Sequence, residues 1–165
     1  MVLRDLHQIF ESWAPTAVAW ERDNVGLQCG SMGQPVRRIL VSLDLTDNVI
    51  SEAKRKNIDL IITHHPLLFH PLKSVNEDHR VGRLVSQLVR NRIAVYAAHT
   101  NLDFTSGGVN HTLAAELGVG EVEFLERDQH NLKKLVVFVP RDYSDKVMQA
   151  MAAAGAGHVG KYGEC

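Results

Sequence analysis

Apolar residues recur along this chain at two different periods. Leu3, Leu6, Phe10 and Trp13 follow helical spacing, and Pro15 closes the pattern. The stretch from Trp20 to Gly33 contains glycines and reads as a loop. From Arg38 to Asp44 the pattern changes to a run of branched residues, which predicts a strand. Thr46 suits a helix N-cap with Asp47 in the first turn, and Val49, Ile50 and Ala53 line one face of the helix that follows. Lys54-Arg55-Lys56 close that helix, where cations complement its dipole. Ile58 to Thr63 is a second predicted strand and Ile93 to Ala98 a third. Val81, Leu84, Val85 and Leu88 mark the helix between them. Val109, Leu113 and Leu117 mark a further helix that Gly118 stops.

Strands alternating with helices predict an α/β fold with a largely parallel sheet covered by helices. The strands are near-continuous apolar runs, as expected when both faces are covered. This core spans residues 1–130. Asp128-Gln129-His130-Asn131 forms a polar break. Beyond it, Lys134 to Val139 reads as a strand closed by Pro140, and Tyr143 to Ala154 reads as a helix. One strand, one helix and a glycine-rich tail do not complete a domain, so residues 131–165 read as the incomplete start of a second α/β domain. There is no internal repeat or low-complexity tract.

Composition narrows the partners. The chain has 165 residues, about one domain's worth, with 45% hydrophobic and 22% charged residues, well away from disorder. The 18 basic and 19 acidic residues nearly cancel, which argues against a dedicated nucleic-acid binder. No apolar run approaches the roughly 20 residues that span a bilayer. Two cysteines, Cys29 and Cys165, make no disulfide framework, and the charged, amphipathic N-terminus has no signal-peptide core. The expected location is the cytoplasm.

The nine histidines are the unusual feature, and five polar positions decide their meaning. In open parallel sheets, ligands bind beyond the carboxyl ends of the strands. After the first predicted strand comes Asp44, after the second His64, His65 and Pro66, and after the third His99 and Asp103. The fold would gather these imidazoles and carboxylates at one sheet edge, a donor set that holds divalent transition metals. Each residue also has a plainer reading. Neighbouring strand residues point to opposite faces, so one histidine of the pair can be buried. Asp44 and Asp103 can cap turns or helices, and His99 can be a hydrogen-bonded core residue or can orient a ligand. His7 and Glu11 have helical i,i+4 spacing but read as a solvent-facing or interface pair. His70, His79, His111 and His130 read as surface or loop residues. Gly107-Gly108 before a helix can offer backbone N–H groups to an anion, although an ordinary helix start explains them as well. Cys29 has no catalytic neighbour in sequence, and no Walker loop, GxSxG elbow or CxxC is present.

Thr63-His64-His65-Pro66-Leu67-Leu68-Phe69, followed by Pro71-Leu72-Lys73-Ser74, resembles the signature of the YbgI-like family, the type 2 homologues of GTP cyclohydrolase I. Asp23-Asn24-Val25-Gly26-Leu27-Gln28, Val41 to Thr46, and Ala98 to Asp103 with Gly107 to Asn110 agree with it, in order along essentially the whole chain. The resemblance implies two divalent metal ions (Zn, Mn, Fe, Co or Ni) in an α/β core, and homo-oligomers, typically hexameric rings. By motif, His64 matches a ligand of one ion, and His65 and Asp103 match ligands of the other. His99 matches a histidine of the same cavity, a candidate proton carrier or ligand. Longer members carry an inserted domain and then return to the core with a His-x-x-x-Glu pair that completes the metal shell. Glu164 lies six residues after His158 and does not match that pair, so the resemblance implies that this sequence ends within the insert.

Two function classes follow. One is a metal-dependent, hydrolase-like enzyme acting on a nucleotide or related small molecule, in which the metal activates water and His99 moves a proton. The other is a non-enzymatic metal-binding scaffold or interaction protein, or a metal chaperone or store, in which the ion staples strand ends.

Overall fold

A four-stranded sheet in the order β1-β4-β3-β2 organises the first part of the chain, with β1 at Gly26–Cys29, β2 at Ile39–Ser42, β3 at Leu60–Thr63 and β4 at Ala94–Ala97. The computed structural model describes residues 1–124 and 134–157. β2, β3 and β4 are parallel and in register, with Ile39 beside Leu60 and Leu60 beside Ala94. β1 runs antiparallel to β4, placing Gly26 opposite Ala97. The largely parallel α/β class is therefore observed, with one strand added. That strand lies inside the stretch read as a loop. Gly26-Leu27-Gln28-Cys29 opens on a glycine and has no β-branched residue, so its extended form comes from pairing with β4 rather than from local preference.

Side chains alternate across the sheet and build a core on each face. Ile61 and Val95 pack under Ile50 and Ala53 of α2 (Asp47–Lys56) and Leu84 and Leu88 of α3 (Arg80–Asn91). Leu60, Ala94 and Tyr96 face the other way, against Leu3 and Leu6 of α1 (Leu3–Trp13). All four positions of β4 are buried, which is why it reads as a continuous apolar run. Tyr96 is the largest fully buried side chain. Phe10 stacks on it at 4.9 Å, and its hydroxyl lies 3.0 Å from His7 Nδ1. His7 and Glu11 are therefore not a pair: Glu11 instead accepts the backbone N–H of Thr16 at 3.2 Å. On the same face, beyond the residues that α1 covers, Ile39, Val41 and Leu43 remain 40%, 74% and 61% exposed.

Local signals set the helix limits. The Thr46 hydroxyl caps α2 by accepting Val49 N–H at 3.3 Å. α4 (Thr100–Asp103) is a single turn directly after β4, and α5 (Val109–Glu116) follows a glycine pair. The chain divides into two compact units, Met1–Arg127 and Asp128–Cys165. In the second, α6 (Ser144–Ala153) occupies the expected helical stretch, behind a 3-10 turn at Arg141–Tyr143. The strand expected at Lys134–Val139 is not formed among the described residues: no ladder includes it, and Phe138 is 95% exposed. An apolar run becomes a strand only when a partner satisfies its backbone.

Candidate metal centre

Parallel pairing places Thr63 beside Ala97, so the residues after β3 and after β4 leave the sheet at the same edge. His65 N–H donates to Leu43 O at 3.0 Å and Ala98 N–H to Thr63 O at 2.9 Å, which extends the ladder to the base of the site. Pro66 then turns the chain away. His64 and His65 are adjacent in sequence, yet their ring centroids lie 5.1 Å apart. His99 joins them at 5.1 Å from His64 and 5.6 Å from His65. One ring nitrogen from each of the three lies within 4.8 Å of the others, so His64, His65 and His99 form a group able to hold a metal ion.

The outer nitrogens fix the chemistry of the inner ones. His64 Nδ1 donates to the carbonyl of Ala98 at 2.9 Å. His65 Nδ1 donates to Asp44 Oδ1 at 2.8 Å. His99 Nδ1 donates to Asp23 at 2.9 Å. Carbonyl and carboxylate oxygens only accept, so each Nδ1 carries the hydrogen, and in the neutral ring it is Nε2 that holds the lone pair. Metal-binding histidines are oriented in this way, with the far N–H given to a carboxylate or carbonyl. Asp103, carried by α4, places Oδ1 3.7 Å from His64 Nε2, too far for a hydrogen bond and near enough to share a ligand. Neutral imidazole nitrogens with a carboxylate suit Zn, Mn, Fe, Co or Ni.

Asp23 escaped sequence reasoning as a member of this site. Its carboxylate is fully buried at 0% exposure and also accepts the Thr100 backbone N–H at 3.1 Å, the Thr100 hydroxyl, and Asn24 N–H at 2.8 Å. Burial pushes its pKa up. The hydrogen bonds from Thr100, His99 and Asn24 outweigh that and hold the carboxyl below its ordinary value. The one available signal was an Asp-Asn pair ahead of a glycine, whose use depends on β1 running antiparallel.

The other candidates fall outside the cluster. His70 and His79 are exposed, as expected. His111 is a correction: it is half-buried against Phe124 at 5.3 Å, with no partner for Nδ1 among the described residues. His130 lies outside the described residues. Gly108 is the N-cap of α5, matching an ordinary helix start. Cys29 is a half-buried thiol whose pKa burial raises, the opposite of an activated nucleophile. Two hollows have no histidine in their lining: one of about 630 Å³, lined in part by Leu135 and Met151, belongs to the second unit, and one of about 540 Å³, lined in part by Cys29, Arg37 and Arg92, adjoins the end of the sheet opposite the histidines.

The fold and the cluster define an α/β protein with a candidate tri-histidine metal centre at the carboxyl edge of its parallel strands. The chain belongs to the Duf34/NIF3 (NGG1p interacting factor 3) family, whose profile matches residues 1–164. It is 46% identical over 159 residues to the GTP cyclohydrolase 1 type 2 homolog of Bacillus subtilis, covering 96% of this chain and 43% of that protein. The homolog from Halalkalibacterium halodurans is 43% identical over 159 residues, again covering 96% of this chain and 43% of the relative. The chain thus spans less than half the length of these relatives. Among solved structures, it is similar to a Bacillus cereus protein related to NIF3, with 37% identity and a TM-score of 0.73 over 100% of this chain and 46% of that one. Reduced HcgD from Methanocaldococcus jannaschii matches at 32% identity and TM-score 0.67, over 73% of this chain and 48% of that one. Among the described residues, no helix is long and apolar enough to cross a membrane.

Proposed function

We propose that this chain forms the metal-binding part of a dinuclear, hydrolase-like enzyme acting on a nucleotide or related small molecule. The observation that carries this reading is the set of three clustered imidazoles whose Nδ1 atoms are all engaged outward, with Asp103 Oδ1 3.7 Å from His64 Nε2. His64 serves one ion, and His65 and Asp103 serve the other. Asp103 would reach its ion from α4, with Oδ1 3.7 Å from His64 Nε2. Bound divalent ions supply an activated water and polarise a carbonyl or phosphoryl oxygen. His99 is the proton carrier: Asp23 holds its Nδ1–H, so Nε2 is free to accept a proton and to return it. The name of the Bacillus subtilis relative, GTP cyclohydrolase 1 type 2 homolog, supports a nucleotide-related substrate. Homo-oligomers and a cytoplasmic location complete the reading, the latter suited by a chain with only two cysteines.

Metal content per chain, measured by mass spectrometry on protein purified without a metal-affinity tag, tests the proposal. About two ions per chain are expected, with fewer in His65→Ala. A value near zero in the wild type refutes the site. Full metal loading with no turnover of GTP or a model phosphoester refutes the enzymatic reading and leaves a metal-binding scaffold.

A further inference from the structure

The segment ahead of β1 touches both histidine loops. Asp23 binds His99 and Thr100, at the start of α4. Asn24 Nδ2 donates to the carbonyl of Leu68, three residues past His65, at 2.6 Å. Leu68 N–H donates to Gln28 Oε1 at 3.0 Å, and Gln28 Nε2 donates back to Asn24 O at 2.9 Å. Trp20 N–H donates to the Thr100 hydroxyl at 2.9 Å, so that hydroxyl passes its own hydrogen on to Asp23. Asn24 and Gln28 thus pin the chain after the His64–His65 pair, while Asp23 pins His99. The three side chains come from one six-residue stretch, and the antiparallel direction of β1 delivers that stretch to the histidine edge.

An acceptor-only group at this place does more than fill space. A neutral imidazole has two tautomers, and only the Nδ1–H form presents a lone pair at Nε2. A carboxylate facing Nδ1 admits that form alone. An amide of the same shape can turn its NH2 toward Nδ1 and select the other form, which places a hydrogen where a ligand bond would be.

We propose that Asp23 is a positioning residue of the histidine cluster, holding His99 in the Nδ1–H tautomer so that Nε2 stays open to a metal ion or a proton. The inference rests on the metal-centre reading above, but its first readout needs no metal. Ring-nitrogen NMR on the metal-free chain, recorded on the alkaline plateau of the ring-nitrogen shifts, reports the tautomer directly. The wild type should show Nδ1–H at His99. Asp23→Asn should convert His99 to Nε2–H and leave His64 and His65 unchanged. Thr100→Val removes a neighbouring hydroxyl but keeps the carboxylate, so it should retain Nδ1–H whatever it does to stability.

An Nε2–H tautomer at His99 in the wild type overturns the proposal without any variant, which matters should Asp23→Asn fail to fold. Asp23→Asn with Nδ1–H retained at His99 overturns it too. If the wild type binds no Zn2+ while the tautomers behave as stated, the metal-centre reading fails and the assignment of Asp23 stands.

Discussion

Two adjacent glycines near Asp103 are required for different reasons, and substituting each in turn separates them. Gly108 has φ −80°, a conformation open to any residue. A Cβ there would lie 1.9 Å from the carbonyl oxygen of Leu102 and 2.9 Å from that of Thr105. Both are backbone atoms, so the collision cannot be relieved by a side-chain rotation. The Leu102 carbonyl must retreat by about 1 Å, at an overpacking cost of roughly 1–3 kcal/mol. Leu102 precedes Asp103 in the same helical turn, so the displacement moves a carboxylate that now sits 3.7 Å from His64 Nε2. Gly107 has φ +72°, and a Cβ there would meet nothing nearer than Trp13 Nε1 at 4.0 Å. Alanine at 107 is therefore strained in its backbone, by roughly 1–2 kcal/mol, without pushing on α4. Thermal unfolding and Zn2+ titration of Gly107→Ala and Gly108→Ala test this. Gly108→Ala should lose roughly 4–12 °C in Tm and bind Zn2+ more weakly. Gly107→Ala should lose stability and keep its Zn2+ affinity. Wild-type Tm and affinity in Gly108→Ala would refute the steric argument.

Two further outcomes concern the core and the sheet edge. Burial first, and the Glu11 charge second, push the Tyr96 hydroxyl from 10.0 up to about 12. Its folded value lies above its unfolded one, so its contribution to stability is complete below pH 10 and is lost as pH rises toward the folded value. Tyr96→Phe should flatten alkaline unfolding followed by circular dichroism, and should cost about 0.5–1.5 kcal/mol at neutral pH through the lost contact with His7. Partial burial raises the pKa of Asp59, but backbone N–H groups of Arg37 and Arg38 and their positive charges outweigh it and hold it below 3.8. That stability is present above the unfolded value and is lost as pH falls through the folded one, so Asp59→Asn should reduce the difference in urea midpoint between neutral pH and acid.

β3 and β4 were legible because each is buried on both faces, and burial writes itself as an unbroken apolar run, as at Ile93 to Ala98, while β2 shows the same run of branched residues with one face exposed. The strand-end rule then located His64, His65 and His99, since topology brings polar residues after parallel strands to one edge. β1 was not legible: its extended form depends on β4, a partner more than sixty residues away. Asp23 was hidden for the same reason. An antiparallel strand presents the residues before it, not after it, to the edge where its parallel neighbours end. The expected strand at 134–139 shows the converse failure, an apolar run with no ladder among the described residues.

The face of the sheet that α1 covers is one helix short. α1 shields Leu60, Ala94 and Tyr96, while Ile39, Val41 and Leu43 stand open beside them on the strand at the sheet's edge. Such an edge pairs a free row of backbone donors and acceptors with a greasy stripe, the combination from which strand-on-strand aggregation begins. Handled at high concentration, this stretch of chain is therefore a colloidal problem as much as a chemical one. A charged residue at position 41, which touches neither the histidines nor Asp23, is the place to improve its solubility.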